Sequence, residues 1–173
     1  MCSILLKEKY ATFYDKLGIF VHTKCPWFGF SPDGILVRNN RKILVEIKTP
    51  DVGQTCDCLK PNCRRNCSSA TFTEKNISCL TRKGENLELK KKHSYYAQIQ
   101  LGLYLLGLQT GILVLYSEFG NDFREFVVPY DSVFCKDFVP TLSELYFTKF
   151  LPFLEGKKGT KLQKFASLMN IAL

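Results

Sequence analysis

Residues 31–48 read SPDGILVRNNRKILVEIK, and the fold turns on how this stretch is read. Two runs rich in branched apolar residues, Gly34–Arg38 and Arg41–Lys48, are separated by Asn39-Asn40 alone. Asparagine tolerates positive φ, so two of them between strands predict a tight two-residue hairpin. Arg38 then faces Arg41, and stepping back along the ladder puts Asp33 opposite Glu46. Directly paired residues point to one face, with Cβ atoms roughly 4.5–5.5 Å apart. Lys48, two residues beyond Glu46, shares that face because side chains alternate along a strand.

Two carboxylates set opposite each other repel. A divalent cation between them reverses the sign, because paired hard oxygen ligands suit Mg²⁺ or Mn²⁺. A lysine beside such an ion can stabilise a phosphate oxygen or hold an attacking water, which is the equipment for phosphodiester hydrolysis. The plain alternative is that Asp33 serves only the turn while Glu46 and Lys48 lie on a solvated strand edge. Ile43, Leu44, Val45 and Ile47 around Glu46 argue against that edge, since a buried carboxylate needs a partner.

Working outward, residues 4–17 place Leu6, Tyr10, Phe13 and Leu17 at helical spacing, so a short amphipathic helix is expected there. Gly18–His22 reads as a strand that Cys25-Pro26-Trp27 interrupts. Thr49-Pro50 ends the hairpin, and from 51 to about 89 regular patterning vanishes into a long, Cys-rich, basic insertion. A helix is expected from Tyr95 to about Leu108 with Ser94 as its N-cap. Strands at 111–117 and 123–130 form a second hairpin, and Asp131 starts a helix running to about Phe153. A last helical stretch at 160–173 follows. The order predicts a mixed α+β (α/β) fold, a central sheet flanked by helices, with a domain at 1–156 and a helical extension at 157–173.

The 173 residues are 46% hydrophobic and 23% charged, which excludes a disordered or collagen-like chain. No apolar run reaches the ~18 residues of a membrane span, and charges at Lys7, Glu8 and Lys9 cut short any secretory signal. An intracellular protein without a membrane partner is therefore expected. The net charge of +8, with a pI near 9.1, favours a polyanionic partner such as nucleic acid. Neither a Gly-rich phosphate loop nor a Ser/His/Asp arrangement is evident, and His22 and His93 read as non-catalytic.

Ser31-Pro32-Asp33-Gly34, twelve residues, then Glu46-Ile47-Lys48 resembles the signature of the PD-(D/E)XK nucleases, whose core is that of the restriction endonucleases. Tyr95-Tyr96-Ala97-Gln98-Ile99-Gln100 follows in the order seen in the lambda-exonuclease-like branch, the YqaJ-type viral recombinases. The resemblance runs from about Gly18 to Gly156 and implies a Mg²⁺-dependent deoxyribonuclease, most simply an exonuclease of recombination or end-processing. It implies that Asp33, Glu46 and the backbone carbonyl of Ile47 hold the metal, that Lys48 orients water, and that Gln98 reaches the site with Tyr95 near substrate. Members of the branch carry a further acid on an upstream helix; here that role would fall to Glu8, the only glutamate before the motif, and the chain would be shortened at its N-terminus. Some relatives form rings around DNA, so a ring-like homo-oligomer, in the nucleus or at a viral replication site, belongs to the same expectation. Loss of the upstream acid would leave a DNA-binding module on the same fold, which is the competing reading.

The insertion contributes two further expectations. Cys56, Cys58, Cys63 and Cys67 are dense enough to hold a structural Zn²⁺, with reduced thiols as the alternative. Arg64 and Arg65, together with Lys91 and Lys92 before the helix, are candidate phosphate contacts.

Overall fold

The hairpin forms in the register that its two asparagines dictate. In the computed structural model, which describes residues 2–50, 78–117 and 121–156, Asn39 and Asn40 have φ of 51° and 56°. Both central residues at positive φ define the turn that matches the right-handed strand twist. Strand β4 (Gly34–Arg38) pairs antiparallel with β5 (Arg41–Lys48), Arg38 against Arg41 and Gly34 against Val45.

Around this hairpin a five-stranded mixed sheet assembles in the order β1-β4-β5-β8-β9, where β1 is Phe13–Asp15, β8 Thr110–Ser117 and β9 Asp122–Pro129. Only β5 and β8 run parallel, with Glu46 beside Leu113 and Lys48 beside Leu115. Strand β8 is the sheet's most enclosed member, buried along nearly its whole length, which its unbroken run ILVLY predicts for a strand covered on both faces. The architecture is mixed α+β.

Strand alternation sorts the side chains between two faces. On one face, α1 (Cys2–Lys9) turns Cys2 and Leu6 onto Leu36, Val45, Ile112, Val114 and Tyr116, with Phe13 from β1. On the other lies α2 (Ser94–Leu106), whose Ile99, Leu103 and Gly102 meet Gly111 and Leu44. Leu36, Leu44, Leu113 and Leu115 are almost wholly buried, each burial contributing about 2 kcal/mol of transfer free energy. A small hairpin, β2 (Phe20–Val21) with β3 (Gly29–Phe30), props α2 from the side. A Cβ on Gly102 would come within 2.5 Å of the Phe30 ring and 2.8 Å of Leu44. Glycine is what lets α2 approach β5 so closely at this point.

Several expectations shift. The first helix ends at Lys9, and residues 13–15, expected to be helical, are an edge strand paired with β4. Pairing with β4 offers Phe13 a buried seat, and Lys16 and Gly18, both at positive φ, interrupt any helix. The strand expected at 18–22 shortens to Phe20–Val21. The end of the insertion is not featureless: β6 (Leu80–Lys83) and β7 (Asn86–Leu89) form a hairpin across Gly84 at φ 62°. Cys79 packs in the interior. The N-cap of α2 is His93 rather than Ser94, and α2 closes at Leu106 because Gly107, at φ 65°, completes a left-handed cap with Leu108 N–H bonded to the Leu103 carbonyl.

The chain divides into two units, Met1–Ser132 and Val133–Leu173. From its second residue onward, α3 (Ser132–Leu145) belongs to the second; it contains Pro140, passes through a π-helical turn at Tyr146–Phe150 and continues as α4 (Leu151–Gly156). The extension expected at 157–173 lies outside the described residues. Among those described, no helix is long and apolar enough to cross a membrane.

Candidate metal centre

At the C-terminal end of β5 the sheet carries an acid where its neighbours are apolar. Glu46 has no exposed surface, and it follows Leu44 on the face that α2 covers. The parallel neighbour Leu113 and the next residue on that strand face, Leu115, are buried as well. Only one carboxylate oxygen is satisfied. Oε2 accepts from the Gln98 side-chain amide at 2.7 Å and from Lys48 Nζ at 3.3 Å, whereas Oε1 is buried with no hydrogen-bond partner among the described residues.

Asp33 stands where the hairpin ladder puts it, one step beyond the Gly34–Val45 pair. Its Oδ2 accepts the Ile47 backbone N–H at 2.7 Å. Proline at position 32 forces the chain to leave the strand there, and the aspartate side chain takes over the bond to β5. Asp33 is exposed, while Glu46 is sealed beneath the helix.

The electrostatics follow from this pair. Burial raises the Glu46 pKa to about 7, and the Asp33 charge adds to the rise; Lys48 opposes it without cancelling it. An isolated anion in such a place would simply be protonated. A cation supplied from outside is the other remedy: Asp33, Glu46 Oε1 and the Ile47 carbonyl are hard oxygen donors of the kind that could hold Mg²⁺ or Mn²⁺. Among the described residues no third His, Cys, Asp or Glu joins them.

Although α1 forms, it packs on the opposite face of the sheet, against Val45 instead of Glu46. Glu8 ends up exposed in the helix's last turn, so the upstream acid expected from the resemblance is not brought to the pair.

Helix α2 supplies the remaining wall. Gln98, half-buried, reaches Glu46 from the start of the helix's second turn. Tyr95, one turn earlier, lies with its ring centroid 5.5 Å from Lys48 Nζ, a cation–π approach. Lys91 and Lys92 are both exposed just ahead of the helix. Lys91 is tied to Asp131 at 2.6 Å. The expected contacts Arg64 and Arg65, and the candidate zinc ligands Cys56, Cys58, Cys63 and Cys67, lie outside the described residues.

Two residues that the sequence reading left without a role matter here. Gln100 is fully buried and bridges α2 to the end of β9, its amide donating to the Pro129 carbonyl at 2.8 Å and its oxygen accepting the Asp131 N–H at 2.8 Å. It lies within the same quoted run as Gln98, four residues after Tyr96 on the buried stripe, so helical period alone marks it as inward-facing. His93 caps the helix, and nothing in the local sequence distinguishes a capping histidine from a solvated one. No family model, curated protein or solved structure matches this chain.

Proposed function

We propose that the chain is a metal-dependent DNA nuclease with a restriction-endonuclease-like core, cutting phosphodiester bonds by hydrolysis. The observation that carries this reading is the buried Glu46 with one orphaned carboxylate oxygen, opposed by Asp33 and flanked by Lys48 and Gln98. A structural carboxylate would be fully hydrogen-bonded; a half-satisfied one beside a second acid is built to receive something.

Asp33, Glu46 and the Ile47 carbonyl would hold Mg²⁺ or Mn²⁺. When bound, the ion supplies a Lewis acid for the phosphate and lowers the pKa of a coordinated water. Gln98 keeps Oε2 occupied, which leaves Oε1 as the oxygen available for binding. The Lys48 ammonium, 3.3 Å from Oε2, would hold a water or a non-bridging phosphate oxygen and compensate the negative charge that grows on the phosphate oxygens. The half-buried Tyr95 borders the place where the scissile nucleotide would lie. Lys92 and the overall charge of +8 favour a polyanion and weaken its binding as salt rises.

A second reading, a DNA-binding module without activity, is favoured by one observation: only two acids are gathered among the described residues. Incubation with linear DNA and Mg²⁺ separates the two. The nuclease reading expects degradation by wild type and none by Glu46→Ala or Lys48→Ala. Wild type that shifts DNA without cutting it, in Mn²⁺ as well as Mg²⁺, would establish the binding module instead.

A further inference from the structure

His93, which packs against Tyr95, is a polar group that the hydrolytic reading leaves unused. It occupies the N-cap of α2 in an extended conformation, φ −86° and ψ 145°, and its Nδ1 accepts the Tyr95 backbone N–H at 3.2 Å. An accepting Nδ1 requires a neutral imidazole whose proton is on Nε2. Burial, reinforced by the Lys90 charge, holds its pKa below the usual histidine value and so maintains that state. The same imidazole meets the Tyr95 ring edge-on, with centroids 4.5 Å apart and planes at 65°. Lys48 Nζ lies 5.5 Å from that ring's centroid.

The contacts form a chain from helix cap to acid: His93, Tyr95, Lys48, Glu46. Lysine is the link most in need of support. Its four-carbon stem has about 2 kcal/mol of rotamer entropy to lose. Its bond to Glu46 Oε2, at 3.3 Å, is the longer of the two that this oxygen accepts. An aromatic ring fixed beside the ammonium narrows the directions it can take. The tyrosine ring is held in turn by what packs against it, and His93 does so.

We propose that His93 is a positioning residue for the hydrolytic centre, its ring setting Tyr95 so that Tyr95 holds the Lys48 ammonium against Glu46. The kinetic half of this inference rests on the nuclease reading; the structural half concerns only the chain's own side chains. A merely capping histidine makes the opposite prediction, since asparagine caps a helix as well or better.

The test compares wild type with His93→Asn, His93→Ser, Tyr95→Leu and the double variant His93→Asn/Tyr95→Leu. Asparagine and serine both keep an oxygen at the cap and remove the ring, so either can stand in if the other fails to fold. The unfolding midpoint is expected to stay at the wild-type value. On linear DNA with Mg²⁺, kcat is expected to fall about tenfold with KM unchanged, as for residues that orient those touching the reaction. In the Tyr95→Leu background, His93→Asn should add nothing. In metal-free protein, the Lys48 ε-methylene protons, shielded by the Tyr95 ring, should move downfield in the ringless variants toward their position in Tyr95→Leu. Wild-type turnover in His93→Asn, multiplying effects in the double variant, or an unmoved Lys48 resonance would each overturn the proposal. If wild type cuts no DNA, the nuclease reading fails by itself, and the Lys48 resonance still decides whether His93 positions this lysine.

Discussion

Replacing Glu46 by glutamine isolates what the buried charge does to folding. The carboxyl titrates near pH 4.5 when exposed and near 7 in the folded protein. The native state therefore holds the proton more tightly than the unfolded chain. The stability associated with that proton is complete below pH 4.5 and is lost as pH rises through about 7. A shift of this size corresponds to about 3 kcal/mol, a substantial part of a small domain's total stability. Glutamine preserves the shape and the acceptor for Gln98 and Lys48 but cannot ionise. Urea unfolding in chelator, repeated between pH 4.5 and 8, should show the stability difference between Glu46→Gln and wild type moving by about 3 kcal/mol in favour of the variant as pH rises. Carboxylates remote from Glu46 contribute equally to both proteins and drop out of the difference. Above pH 7, Mg²⁺ at a hundred times its dissociation constant should restore about 2.7 kcal/mol to wild type and nothing to the variant. Parallel pH profiles for the two proteins would refute the argument, because they would mean that Glu46 titrates as though it were in water.

Two more expectations concern how α2 is held over the acid. Gly102→Ala should destabilise the protein by about 1–3 kcal/mol, since the new methyl collides with Phe30 and Leu44, and Phe30→Leu should recover part of the loss in a double-mutant cycle by thermal unfolding. Gln100→Leu should lower stability by about 2–4 kcal/mol in denaturant titration, because the Pro129 carbonyl and the Asp131 N–H both lose a buried partner; a loss below about 0.5 kcal/mol would show that water replaces the glutamine there.

The placement of Asp33 and Glu46 was legible from residues 31–48 because everything needed for it is local. A two-residue turn admits one register, and a strand's side-chain period of two allows no drift between faces. Once Asn39 and Asn40 adopt positive φ, Glu46, Lys48 and Asp33 have no other common face. The Gln98 contact was legible in part: the helix was evident from its period, but its seat over Glu46 depends on Gly102, whose missing side chain has no meaning until Phe30 and Leu44 are beside it.

What tertiary structure alone decided is the fate of groups with two local options. Residues 13–15 fit a helical stripe equally well, and pairing with β4 made them a strand. Glu8 is the only glutamate ahead of the motif, yet α1 packs its apolar side against Val45, and the sheet then separates that acid from Glu46. Glu46 itself reads as an acid among apolar residues; its pKa near 7 and its single orphaned oxygen exist only because α2 closes over it and brings Gln98 for one oxygen and nothing for the other. Register and alternation are properties of neighbouring residues, whereas desolvation is a property of whatever the rest of the chain stacks on top.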